Sequence, residues 1–119
     1  MAQSAGLHEP NLSPQTVDRH RALASIQEEL EAVDWYDQRV DATDDAELAA
    51  VLAHNRDEEK EHAAMTLEWL RRHDPVLDQH LRTYLFTNAP VTEIEHEAEA
   101  DAGVSDGSLG IGGLKGETR

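Results

Sequence analysis

Leu48-Ala-Ala-Val-Leu-Ala-His-Asn-Arg-Asp-Glu-Glu-Lys-Glu-His-Ala-Ala-Met-Thr-Leu-Glu-Trp69 is the stretch on which the fold turns. Within it Leu48, Leu52, Asn55, Glu59, His62, Thr66 and Trp69 recur at offsets of four and three for three heptads, the pattern of a helix that lays one face against partner helices. Glu59 and His62 occupy the middle of that face. A carboxylate set among apolar residues needs a partner, because moving it out of water costs several kcal/mol unless it is paired. The three-residue spacing puts both side chains on one side of the helix, close enough to share an ion.

A matching helix precedes. Ser13 before Pro14 is a start signal, a hydroxyl cap followed by proline at the first helical position. From Val17 to about Val40 the residues Leu23, Ile26, Leu30, Val33 and Val40 recur at threes, fours and sevens. Glu29 lies within this stripe, three after Ile26 and four before Val33, and Tyr36 follows one heptad later. Glu28, Glu31 and Trp35 form a neighbouring line. Asp41-Ala-Thr-Asp-Asp breaks the pattern, and Asp44 with Glu47 resembles a capping box for the second helix. Arg71, Arg72 and His73 suit the negative end of that helix, and Asp74-Pro75 closes it and starts a short third one holding Val76, Leu77, Leu81, Tyr84 and Leu85.

The fold class is therefore all-α: two long antiparallel helices plus a short third helix, with the apolar faces of the first two dimerising into a four-helix bundle. Thr92 and Glu95 suggest a cap further on, but Glu93 to Ala100 has Ile94 as its one large apolar residue and little to bury. The chain divides into a flexible N-terminal segment (1–12), a helical domain (13–90), an acidic linker that is partly helical or disordered (91–106) and a Gly-rich tail (107–119). Leu109, Ile111 and Leu114 are set into that tail, where a plain linker would omit large aliphatics.

Composition narrows the function. A chain of 119 residues with polar ends has a small core and is marginal as a lone monomer. Its formal charge of -15, with aromatics at 4%, opposes nucleic acid and anionic membrane as partners and attracts cations. Without cysteine there are no disulfides, thiolate metal sites or cysteine nucleophiles, so oxygen and nitrogen ligands remain. No signal-like or bilayer-length apolar run is present, which points to a soluble, intracellular protein.

One Glu on the first helix and Glu-x-x-His on the second are half of the ligand set of a di-iron four-helix bundle. A second copy of the chain supplies the other half if the contact is two-fold. Glu29 and Glu59 from each chain then bring four carboxylates together. One like-charged pair at 4 Å costs about 4 kcal/mol at an effective dielectric near 20, so the cluster needs protons or cations, and two divalent ions cancel its charge. Mixed carboxylate and imidazole suit iron or manganese, whereas zinc binds without redox chemistry.

Other groups read less sharply. Chance gives about one Glu-x-x-His in this composition, and the second one, Glu93 with His96, lies in the acidic stretch with no apolar face. His54, Glu58 and Glu61 fall on a separate line that holds an ion weakly at the surface or is a solvated charged face. Glu28, Glu31 and Trp35 border a route to the core site or form an exposed acidic face with one packed indole. Tyr36 hydrogen-bonds a ligand carboxylate or fills an interface.

From Glu28 to Arg72 the chain resembles the encapsulated ferritins, through Glu-Glu-Leu-Glu-Ala-Val-Asp-Trp-Tyr (28–36) and His-Asn-Arg-Asp-Glu-Glu-Lys-Glu-His-Ala-Ala-Met-Thr-Leu-Glu-Trp (54–69). The likeness continues in Leu81-Arg-Thr-Tyr-Leu-Phe and in Gly107-Ser-Leu-Gly-Ile-Gly-Gly-Leu-Lys-Gly, which is similar to the peptide that docks such proteins on the inner wall of an encapsulin shell. The resemblance implies a ferritin-like fold, with Glu29, Glu59 and His62 as ferroxidase ligands and Glu28, Glu31 and Trp35 near metal access. It implies iron as the metal, two ions per dimer, subunits paired and assembled into a ring of ten chains, and a location inside a cytoplasmic encapsulin nanocompartment that stores the product. The extended tail with Leu109, Ile111 and Leu114 has a physical counterpart as aliphatic anchors for shallow pockets. The leading reading is a ferroxidase. Its rival is a structural helical-hairpin cargo or adaptor whose acidic face binds cations weakly; a monomeric bundle using Glu93 and His96 is disfavoured because the third helix offers no Glu.

Overall fold

A computed structural model describes residues 6–109. Four helices follow one another, α1 Pro14–Ala42, α2 Ala46–Arg72, α3 Pro75–Tyr84 and α4 Val91–Leu109, and no strand occurs among the described residues. No described helix is long and apolar enough to cross a membrane. The chain forms two compact units, divided between His73 and Asp74.

The first unit is the α1–α2 hairpin. Ser13 caps α1 as its sequence signals: the Ser13 Oγ accepts the Thr16 amide at 3.1 Å, with Pro14 in the first turn. At the other end the Thr43 amide donates to the Arg39 carbonyl at 3.1 Å. The α2 cap differs from the Asp44–Glu47 expectation. Asp45 is the cap, extended at φ -88°, and its Oδ1 accepts the Leu48 amide at 3.0 Å. The Thr43 hydroxyl accepts the Asp45 amide at 3.1 Å, which fixes the turn and starts the helix one residue later. Glu47 instead sits in the first turn, where its charge meets the positive end of the helix dipole.

Between the helices the packing is thin. Ala22, Ala63 and Leu70 are the buried apolar residues, two of them small enough to let the backbones approach closely. Arg56 of α2 reaches across to Asp37 of α1 at 2.9 Å and also holds Asp57 at 3.1 Å. Leu23, Leu30 and Leu48 of the expected buried stripes stay about half exposed, as do Trp35 and Val51 outside those stripes, and Met65 is 64% exposed. The reason is geometric. Two helices cover one strip of each other, so an apolar face wider than that strip waits for further helices.

The far end of α2 is tied by charge. Glu68 binds Arg71 through both of its oxygens at 2.8 Å and Arg72 at 2.7 Å. Trp69 stacks on His73, with ring centroids 3.9 Å apart.

In the second unit, Asp74 caps α3 by accepting the Leu77 amide at 3.0 Å. Phe86, just past the helix, adopts φ +63° and is fully exposed. The acidic stretch is helical along its whole length rather than a short capped segment. The Pro90 carbonyl accepts the Glu93 and Ile94 amides at 3.0 and 3.1 Å, and Glu93 lies in the first turn, favourable to the dipole. The N-terminal residues 1–5 and nearly all of the 107–119 tail, including Ile111 and Leu114, lie outside the described residues.

Two outcomes follow from this packing. Ala63→Leu inserts three carbons where α1 and α2 meet and lowers stability by about 1–3 kcal/mol, read by thermal unfolding. The Glu68 carboxyl is held at about 2, against an ordinary 4.5, chiefly by Arg71 and then by Arg72. A depressed carboxyl pKa adds stability that is fully present above about 4.5 and vanishes as the pH falls towards 2. Thermal scans of wild type and E68Q therefore differ at neutral pH and converge through that window; a constant difference down to pH 2 contradicts the assignment.

Candidate metal centre

Glu29 and Glu59 arrive at one level of the hairpin by simple counting. Glu29 lies thirteen residues before the end of α1 and Glu59 thirteen after the start of α2. At 1.5 Å per residue both stand about 20 Å from the turn.

The Glu29 Oε1 is buried and has no hydrogen-bond partner. Buried carboxylate oxygens in folded proteins are paired, protonated or bound to a cation, because the bare group loses its hydration for nothing in return. On α2, the Glu59 Oε1 lies 3.5 Å from Nδ1 of His62. Two donors each about 2.1 Å from a shared ion, at about 110° to one another, stand about 3.4 Å apart, so this pair has the bite of a two-donor claw. The Glu59 side chain is 29% exposed and that of His62 47%, which leaves the claw facing outwards from the single chain. Among the described residues, no three His, Asp or Glu side chains of one chain gather closely enough to hold an ion. The donor set therefore fits iron in kind, carboxylate oxygen with imidazole nitrogen, and is incomplete in number within one chain.

Tyr36 is half-buried one heptad beyond Glu29, and Trp35 is exposed beside it. The Arg39 guanidinium lies 5.7 Å from the Tyr36 ring centroid and 5.9 Å from that of Trp35, so one cation steadies both rings. Arg39 was not singled out from the sequence, although its spacing of three from Tyr36 and four from Trp35 is the available signal. Glu28 and Glu31 are exposed on the same helix.

The surface line behaves differently from its sequence pattern. His54 Nε2 lies 4.0 Å from Oε2 of Glu58, and His62 Nε2 lies 4.0 Å from Oε1 of the same residue. Glu58 thus stands between two imidazoles, one of which belongs to the claw. Glu61 lines a shallow groove with Ala64, Met65, Glu68, Trp69 and Arg72. Arg56 also escaped the sequence reading. Asp57 and then Asp37 raise its pKa, and Arg56 in turn lowers that of Asp57.

Similarity to known proteins places the chain. Residues 6–88 match the EncFtn-like family. An encapsulated ferritin-like protein of Rhodospirillum rubrum is 62% identical, over 98% of this chain and 94% of its own length. An encapsulin nanocompartment cargo protein of Myxococcus xanthus is 41% identical over 49% of this chain and 45% of its own. The crystal structure of a Nitrosomonas europaea protein superposes with a TM-score of 0.70 at 64% identity, covering 72% of this chain and 97% of that one. These likenesses make the chain a member of the EncFtn-like family, with a ferritin-like fold.

Proposed function

We propose that two copies of this chain pair through the open faces of α1 and α2 and form a ferroxidase centre between them. The observation that carries this reading is the buried, partnerless Oε1 of Glu29. In the pair, Glu29 of each chain bridges two iron ions, while Glu59 and His62 of each chain bind one ion apiece. Tyr36 donates a hydrogen bond to a ligand carboxylate, and Glu28, Glu31 and Trp35 border the way in. The apolar side chains left open on the hairpin support the same pairing, since a second hairpin covers them.

Fe(II) is the substrate. Each ion gives up one electron, and two together reduce a peroxide and two protons to two waters, or dioxygen and two protons to hydrogen peroxide. The protein's part is electrostatic: four carboxylates around the ions favour the higher charge of Fe(III) over Fe(II) and draw cations to a surface of net charge -15. The names of the relatives support a further step, in which the 107–119 tail docks the assembly inside a cytoplasmic encapsulin shell that stores the oxidised iron. A ring of ten chains is the assembly expected of the family.

Iron oxidation followed by Fe(III) absorbance tests the centre. E29A and H62A fall to the rate seen without protein, and sedimentation shows Fe(II) driving the chain from monomer to dimer or larger. A chain that stays monomeric while oxidising iron refutes the interface site. A wild-type rate equal to the protein-free background assigns the chain to the adaptor class instead.

A further inference from the structure

His62 has two ring nitrogens, and each faces a different carboxylate: Nδ1 towards Glu59 at 3.5 Å, Nε2 towards Glu58 at 4.0 Å. The arrangement is not symmetrical in kind. The Glu59 side chain is the more covered of the two, at 29% against 49% for Glu58, and it sits on the expected apolar face. Glu58 lies on the wet flank, where its other oxygen is 4.0 Å from Nε2 of His54 one turn earlier. His54, Glu58 and His62 are spaced four apart, so they stack in one row along α2.

An imidazole binds a metal through one nitrogen and donates a proton from the other, and the group that accepts that proton fixes which nitrogen is bare. We infer that Glu58 is a positioning residue for His62: it accepts the Nε2–H and so leaves Nδ1 unprotonated towards Glu59. The inference rests on the proposed reading of Glu59 and His62 as a shared claw. The 4.0 Å separation closes to a hydrogen bond by rotation about the side-chain bonds of a half-exposed Glu58. Glu58 therefore acts through His62 and touches neither ion nor oxidant. An acidic residue here does what a neutral one of similar length does less well, because the ionised acceptor makes the stronger bond to an N–H.

The test uses the full chain with Zn(II), a diamagnetic ion that takes the same donors without oxidation, and nitrogen NMR of labelled histidine. Wild type shows the His62 ring bound through Nδ1 and protonated at Nε2. E58A binds Zn(II) about 10–100-fold more weakly, the usual loss for a removed partner of a ligand histidine. Its His62 signals also spread over both tautomers, while helix content by circular dichroism is unchanged. E58Q, which keeps an acceptor oxygen but not the charge, falls between the two. Zinc ligation through Nε2 in wild type, or wild-type affinity and Nδ1 ligation in E58A, overturns the inference. Crippled E59A and H62A beside a wild-type-like E58A sink this inference alone. If E59A and H62A hold zinc as wild type does, the claw itself is wrong and Glu58 has nothing to position.

Discussion

A carboxylate oxygen shut away from water with nothing to bind raises the free energy of the chain that holds it, and Glu29 holds one in the middle of α1. Three remedies exist: a proton, a cation or a donor from another molecule. Glu29 sits about level with Glu59 along the hairpin, and the Glu59 carboxylate lies 3.5 Å from Nδ1 of His62. A second hairpin brought up by a two-fold operation supplies the same three groups again. In the pair proposed above, the cation remedy would serve both chains at once, and the cost carried by Glu29 in isolation would become a reason to assemble.

The same economy runs through the packing. Ala22, Ala63 and Leu70 are all that the hairpin buries well, and about half of the surface of Leu23, Leu30, Leu48 and Val51 remains in contact with water. Covering a large aliphatic side chain is worth about 1.5–3 kcal/mol. A hairpin of this kind leaves its apolar faces open, and the pairing proposed above would cover them and complete the proposed ligand set in one encounter. In that proposal, ion binding and chain association are linked equilibria, since metal bound only by the pair would stabilise the pair by mass action.

Much of this was legible in the residues. Ser13-Pro14, Asp74-Pro75 and the heptad spacing of Leu52, Asn55, Glu59, Thr66 and Trp69 are local signals, and helices obey local signals when caps and periodicity agree. The cap of α2 was harder, since Asp44 and Asp45 are chemically alike and a hydroxyl on Thr43 chose between them. The helical course of Val91–Leu109 eluded a reading based on large apolar residues, because the half-buried positions of α4 are Ile94 and two alanines, Ala98 and Ala102, spaced four apart. The Glu58–His62 approach was hidden for another reason. Spacing says which side chains share a helix face, but not which nitrogen of a ring turns towards which acid.

The ion pairs divide the acids of the hairpin into two sets. Arg and Lys take Asp18, Asp37, Asp57 and Glu68, at separations from 2.7 to 3.4 Å. Among the described residues, no Arg or Lys lies within 4.0 Å of the carboxylates of Glu28, Glu29, Glu31, Glu58 or Glu59, and the last two have histidine as their neighbour. Arg56 sits three residues from Glu59 on α2, yet it is drawn away by Asp57 and Asp37. Had it turned to Glu59 instead, it would have filled the claw with a guanidinium and cancelled the charge that attracts a metal. Asp37 and Asp57 thus keep Arg56 occupied, and the proposed centre needs the glutamates near the middle of the hairpin to be left to cations that arrive from solution.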